Sequence, residues 1–158
     1  MVAPLTRLRA SSDHTLAPGA TASELDEVAR DLRTALPASY RAVLSESNGM
    51  VLCRGLVTFW STHALVDKNG GLRSYGWFDD RHIFIAESAT EQVFALRSTR
   101  HTWGPDFFFI DVTEGDDPAV RAFNLTPTRT GVAARSVSAW IELVLDTDGF
   151  GAPPDHGG

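Results

Sequence analysis

The hydrophobic period changes at Asn48-Gly49, and that change constrains the fold more than any other feature of the chain. Before it, apolar residues recur every three to four positions: Leu25, Val28, Ala29, Leu32 and Leu36, then Tyr40, Val43 and Leu44. Such spacing gathers side chains on one side of a helix. After it, apolar residues alternate with polar ones or run together in short blocks, which is the signature of strands. Helical spacing returns at Val137, Trp140, Ile141, Val144 and Leu145. Two helices, a run of strands and a closing helix do not make the alternating pattern of a parallel sheet. They predict an α+β domain, with two N-terminal helices and one C-terminal helix packed against a five- to six-stranded, mostly antiparallel sheet.

Local signals sharpen the elements. Thr21 followed by Glu24 fits a capping box, in which each side chain satisfies a free backbone N–H of the other. Pro37 stops the first helix and opens the second, because proline is tolerated in a first turn. Asn48-Gly49 ends the second helix with residues that accept left-handed backbone. Residues 50–54 and 56–60 read as short strands around Gly55. Ser61 caps a helical turn that runs through Val66, and Asn69-Gly70-Gly71 reads as a loop. Residues 82–87 and 92–97 read as strands. Residues 107–112, which open on the apolar run Phe107–Ile110, predict a strand buried on both faces, and 119–125 an edge-like strand. The last helix starts near Ser136 or Ser138 and stops at Gly149. Residues 1–20 read as a flexible leader, 21–150 as one domain, and 151–158 as a disordered tail.

Composition removes several function classes. The formal charge is −6, and all of the excess acidity lies beyond residue 79. A nucleic-acid binder needs clustered Lys and Arg to displace counterions, so no nucleic-acid partner is expected. No stretch reaches the roughly 18 apolar residues of a membrane span, and the N-terminus lacks the apolar core of a secretory signal. With Cys53 as the one cysteine, no intrachain disulfide can form, and a cytoplasmic location is expected. No P-loop, G-x-S-x-G elbow or metal-ligand spacing occurs. The chain is therefore expected to be non-enzymatic, with no catalytic residues, metal or cofactor.

One combination of residues carries a resemblance. Leu36-Pro37, Ser39-Tyr40, Val43-Leu44 and Asn48-Gly49 follow an amphipathic acidic helix. This order resembles the opening of the SUKH superfamily, the Smi/Knr-like domains. Residues 83–87 resemble the strand that precedes a polar turn in that family. The segment 136–145, with Trp140, resembles its terminal helix. The likeness spans about residues 21–147 and brings no catalytic motif. It implies a protein-binding domain, and many bacterial members are similar to immunity proteins that neutralise a toxin encoded beside them. A regulatory or scaffold module without a toxin partner is the alternative. A metal-dependent enzyme built on the carboxylates of residues 111–117 is a further one.

Charge and aromatic residues supply the candidate surface. Acidic side chains concentrate at Asp79, Asp80, Glu87, Glu91, Asp111, Glu114, Asp116 and Asp117. They serve either ordinary solubility or the attraction of a basic, nuclease-like toxin through complementary fields. Trp77 and Trp103 sit among charged and loop-forming residues. They either fold back onto the core or act as desolvated interface anchors.

Overall fold

The computed structural model describes residues 3–74, 76, 78–88, 106–125 and 128–149. These residues form α1 (Ala3–Arg9), β1 (Thr15–Leu16), α2 (Ala22–Leu32), α3 (Ala38–Glu46), β2 (Met50–Leu52), β3 (Val57–Phe59) and α4 (Thr62–Arg73). They continue with β4 (His82–Ser88), β5 (Phe107–Asp111), β6 (Val120–Leu125), β7 (Thr128–Ala134) and α5 (Val137–Asp146). The strands make one antiparallel meander in the order β1-β2-β3-β4-β5-β6-β7. The class is α+β, as the change of period predicts.

The capping box forms as expected: Glu24 N donates to Thr21 Oγ1 and Thr21 N donates to Glu24 Oε1, both at 3.1 Å. Leu25, Val28 and Leu32 are buried beneath α2. Pro37 does not stop this helix as expected: it ends earlier, at Leu32, because Arg33 turns left-handed, with its N–H on the carbonyls of Ala29 and Arg30. Pro37 is the residue before α3, whose Tyr40, Val43 and Leu44 point inward. Gly49 has φ +96°, and a Cβ there would come within 3.1 Å of Ser61, so both the backbone and the space require glycine.

The core has two sides. Phe59, Ala86, Phe108 and Ala122 lie in one cross-strand row. Phe59 meets Tyr40 of α3 at 5.7 Å, and Phe108 meets Trp140 of α5 at 5.1 Å. On the opposite side, Phe78 stands edge-on to Phe84, Phe109 and Phe123, with ring centroids 4.7–5.2 Å apart. Burial of Phe108, Phe109 and Ile110 shows that β5 is covered on both faces, as its apolar run predicts.

Four further expectations change. Residues 3–20 are not a loose leader: Leu5 and Leu8 of α1 are fully buried, Arg7 bonds Glu142 and Asp146 of α5 at 2.9 Å, and β1 pairs with β2. A seven-residue helix is too short to show a period, and only its docking on α5 makes it visible. The strands expected at 50–54 and 56–60 shrink to three residues each around a 3-10 turn, Cys53–Gly55. There Cys53 and Arg54 both hold positive φ, steadied by Cys53 N donating to His14 Nδ1 and by Arg54 bridging Asp13 and Asp148. The expected edge strand 119–125 is internal, because β7 lies outside it, and the described sheet has seven strands rather than five or six. Gly131 and the mixed side chains of β7 hide its alternation. Finally, α4 runs straight through Asn69-Gly70-Gly71 instead of stopping at Val66.

The cause of that last change is polar satisfaction at an exposed strand edge. β3 pairs only with residues 86–88 of β4, so the first half of β4 has no strand on that side. Asn69 takes its place: Phe84 N donates to Asn69 Oδ1 at 2.7 Å, and Asn69 Nδ2 donates to Phe84 O at 2.9 Å. One turn later, Arg73 Nη2 donates to His82 O at 2.9 Å. Two side chains thus complete a ladder that backbone would otherwise leave open. These buried bonds outweigh the propensity penalty of two exposed glycines, about 1 kcal/mol each. The segment 92–97, expected as a strand, and the tail 151–158 lie outside the described residues.

Candidate partner-binding surface

The acidic residues singled out from sequence do not form one patch. Trp77, Glu91 and Trp103 lie outside the described residues. Asp79, Asp80, Asp111 and Glu114 gather where β4 begins and β5 ends, since His82 pairs with Asp111. Glu87 pairs with Phe107 at the other end, five residues up β4, or ~17 Å away at strand rise.

Most of these carboxylates already have partners. Asp79 accepts from Arg81 N at 3.0 Å. Asp80 lies 3.6 Å from Arg73, and Glu114 lies 3.0 Å from Arg121. Glu87 is 3.6 Å from Lys68 and accepts from Trp60 Nε1 at 3.4 Å. Burial works against the charge of Asp111, but bonds from Thr113 Oγ1 and N, with Arg81 nearby, outweigh it and hold its pKa below the ordinary value. Burial, helped by Arg81, depresses the pKa of the neighbouring His82, which favours its neutral ring. Asp116 and Asp117 are exposed and have no ion pair among the described residues. Ser39 N donates to Asp116 O, which ties this loop to the start of α3.

Besides Asp116 and Asp117, unanswered negative charge gathers in a groove of about 340 Å³ between α2 and α4. Glu24, Glu27 and Asp31 rise along one side of α2, and Asp67 faces them from α4, with His63 at the rim and buried Val28 at the floor. Glu27, Asp31 and Asp67 make no ion pair among the described residues, while Glu24 serves the capping box. Sequence places the α2 acids on the polar side of their helix. It does not reveal Asp67 opposite them, because the glycine pair conceals the length of α4.

A second depression, about 280 Å³, opens on the other side of the first turn of α4. Its lining is apolar: Ala17, Val51, Thr58, Trp60 and Ala64 contribute. Val51 is 42% exposed, an unusual state for a large hydrophobic residue in this fold. Trp60 is held in place by Glu87, while Lys68 lies over its ring at 5.6 Å. Glu87 therefore orients an aromatic wall of this depression.

Cys53 lines neither depression. Burial, with the charge of Asp148 adding to it, pushes the Cys53 thiol up to about 11, which keeps it protonated near neutral pH. Among the described residues, no group of three His, Cys, Asp or Glu side chains is arranged to hold a metal. No helix among them is long and apolar enough to cross a membrane.

The capped acidic helix, the Pro37-initiated helix, the antiparallel sheet and the closing Trp140 helix make one α+β domain. Residues 19–143 match the model of the SMI1 / KNR4 family (SUKH-1), and the chain belongs to that family. Helix α1 and strand β1 precede the matched region. No curated protein matches the chain.

Proposed function

We propose that this domain works by binding another protein, and that it is an immunity protein that occludes a cognate toxin. Family membership supports the binding role. The observation that carries the reading is the α2–α4 groove, where Glu27, Asp31 and Asp67 have no ion pair among the described residues. Uncompensated carboxylates on a rigid frame raise the encounter rate with a basic surface and fix its orientation. A nuclease toxin must carry such a surface to hold phosphates. Inhibition would be steric: the domain would cover the toxin's cleft and perform no chemistry on it.

The test is to mix the purified chain with the product of the neighbouring gene. A salt-sensitive complex and loss of that product's toxicity are expected. A neighbouring product that forms no complex and is not toxic would remove the immunity role and leave a regulatory or scaffold module.

A further inference from the structure

The acidic groove explains attraction but not tight or selective binding, because exposed charges contribute little affinity once screened. The depression on the other side of α4 supplies what is missing. Thr15, Val51 and Thr58 form one cross-strand row, so these residues point to the same face of the sheet. Trp60 and Ala64 close that row against the first turn of α4. Thr62, His63, Val66 and Asp67 of the same helix line the acidic groove, while Ser61 and Ala64 line the apolar depression. At 100° per residue these two sets lie on opposite sides of α4, about 10 Å apart across the helix. A partner that straddles this turn touches both.

Resting on the protein-binding reading, we infer that the depression lined by Val51, Thr58, Trp60 and Ala64 receives an apolar side chain from a basic segment of the partner. The occupant's charge is set by complementarity. The nearest groove bears Glu24, Glu27, Asp31 and Asp67, and no Lys or Arg among the described residues lines it. Lys68, the cation that lies over the Trp60 ring, is already engaged by Glu87. The occupant's anchor is set by the lining, which has room for one aliphatic side chain and few polar groups to satisfy. Such a pairing of a dry anchor with a charged rim is the usual division of labour at protein interfaces.

Three synthetic peptides titrated into the full chain test this, with backbone amide shifts as the readout. The first alternates Arg and Gly around a central Leu. The second replaces that Leu with Ala, and the third replaces every Arg with Glu. The Arg–Leu peptide is expected to shift the amides of Ala17, Val51, Thr58 and Ala64. The Ala version should bind at least about tenfold more weakly, the scale set by burying one aliphatic side chain. The Glu version should not bind. Val51→Asn and Ala64→Gln change no charge, and each should erase the difference between the Leu and Ala peptides. Equal affinity of those two peptides, shifts confined to other surfaces, or no binding by any peptide would overturn the inference. The outcome separates from that of the immunity reading. If the neighbouring gene product binds and Val51→Asn leaves its affinity unchanged, the anchor is wrong and the immunity role stands. If the Arg–Leu peptide seats as expected but the neighbouring product does not bind, the anchor stands and the immunity role falls.

Discussion

Replacing Asn69 with leucine is the sharpest perturbation of the frame that carries both depressions. The Asn69 amide is fully buried and makes three bonds: to Leu65 O at 2.9 Å, to Phe84 O at 2.9 Å and from Phe84 N at 2.7 Å. Leucine has similar bulk and suits a helix better, so neither volume nor propensity predicts damage. The cost comes from Phe84, whose N–H and C=O stay buried and lose their partners. Each orphaned group costs about 1–3 kcal/mol, so the pair costs about 2–6 kcal/mol before the new apolar contacts return a part. A net loss of about 3 kcal/mol lowers Tm by roughly 6–12 °C in a chain of this size. Urea unfolding with an unchanged m-value measures it, and hydrogen exchange at the Phe84 amide localises it. That amide should be among the slow exchangers in the wild type and exchange markedly faster in Asn69→Leu. A loss below about 1 kcal/mol, or a Phe84 amide that stays slow, would refute the view that α4 substitutes for a missing strand.

Other consequences are quick to check. Leu8→Ala should cost about 2–5 kcal/mol, the range for a buried leucine, whereas a loose leader would cost nothing; urea midpoints decide. The depressed pKa of His82 makes the unfolded chain bind more protons below about pH 6.5, so stability should rise with pH there and be lost as pH falls toward the folded pKa. Urea midpoints between about pH 5 and pH 7 should therefore slope less in His82→Gln than in the wild type. Glu114→Gln should leave partner association nearly unchanged, because Arg121 already neutralises that carboxylate, and a stopped-flow rate that falls several-fold would contradict this.

The legible parts of the fold are those whose signal is local. Thr21 and Glu24 declare a helix start within four residues, and Trp140 with Val137, Ile141 and Val144 declares a buried stripe within two turns. The apolar block 107–110 announces a covered strand because no polar residue interrupts it. What stayed hidden depends on distant partners. Asn69-Gly70-Gly71 has the composition of a loop, and only the unpaired edge of β4 makes it helix. Leu5 and Leu8 are two residues without a period until α5 is beside them. The same logic applies to the surface. Counting acids along the chain directs attention to residues 79–117, but folding brings Arg73, Arg81, Arg121 and Lys68 to Asp79, Asp80, Glu87, Asp111 and Glu114, and leaves only Asp116 and Asp117 unpaired among the described carboxylates singled out there. It also sets Asp67, some 36 residues further along the chain, opposite Glu27 and Asp31 without such neighbours.

The central claim is that these unpaired carboxylates guide a basic protein onto the start of α4. Its most direct test is the association rate with the neighbouring gene's product, measured against ionic strength for the wild type and for Glu27→Lys/Asp31→Lys. Both positions are exposed, so the variant should keep its fold by circular dichroism. The account predicts at least about a tenfold slower association at low salt and a flatter salt dependence for the variant. An unchanged rate with an unchanged salt slope would contradict it.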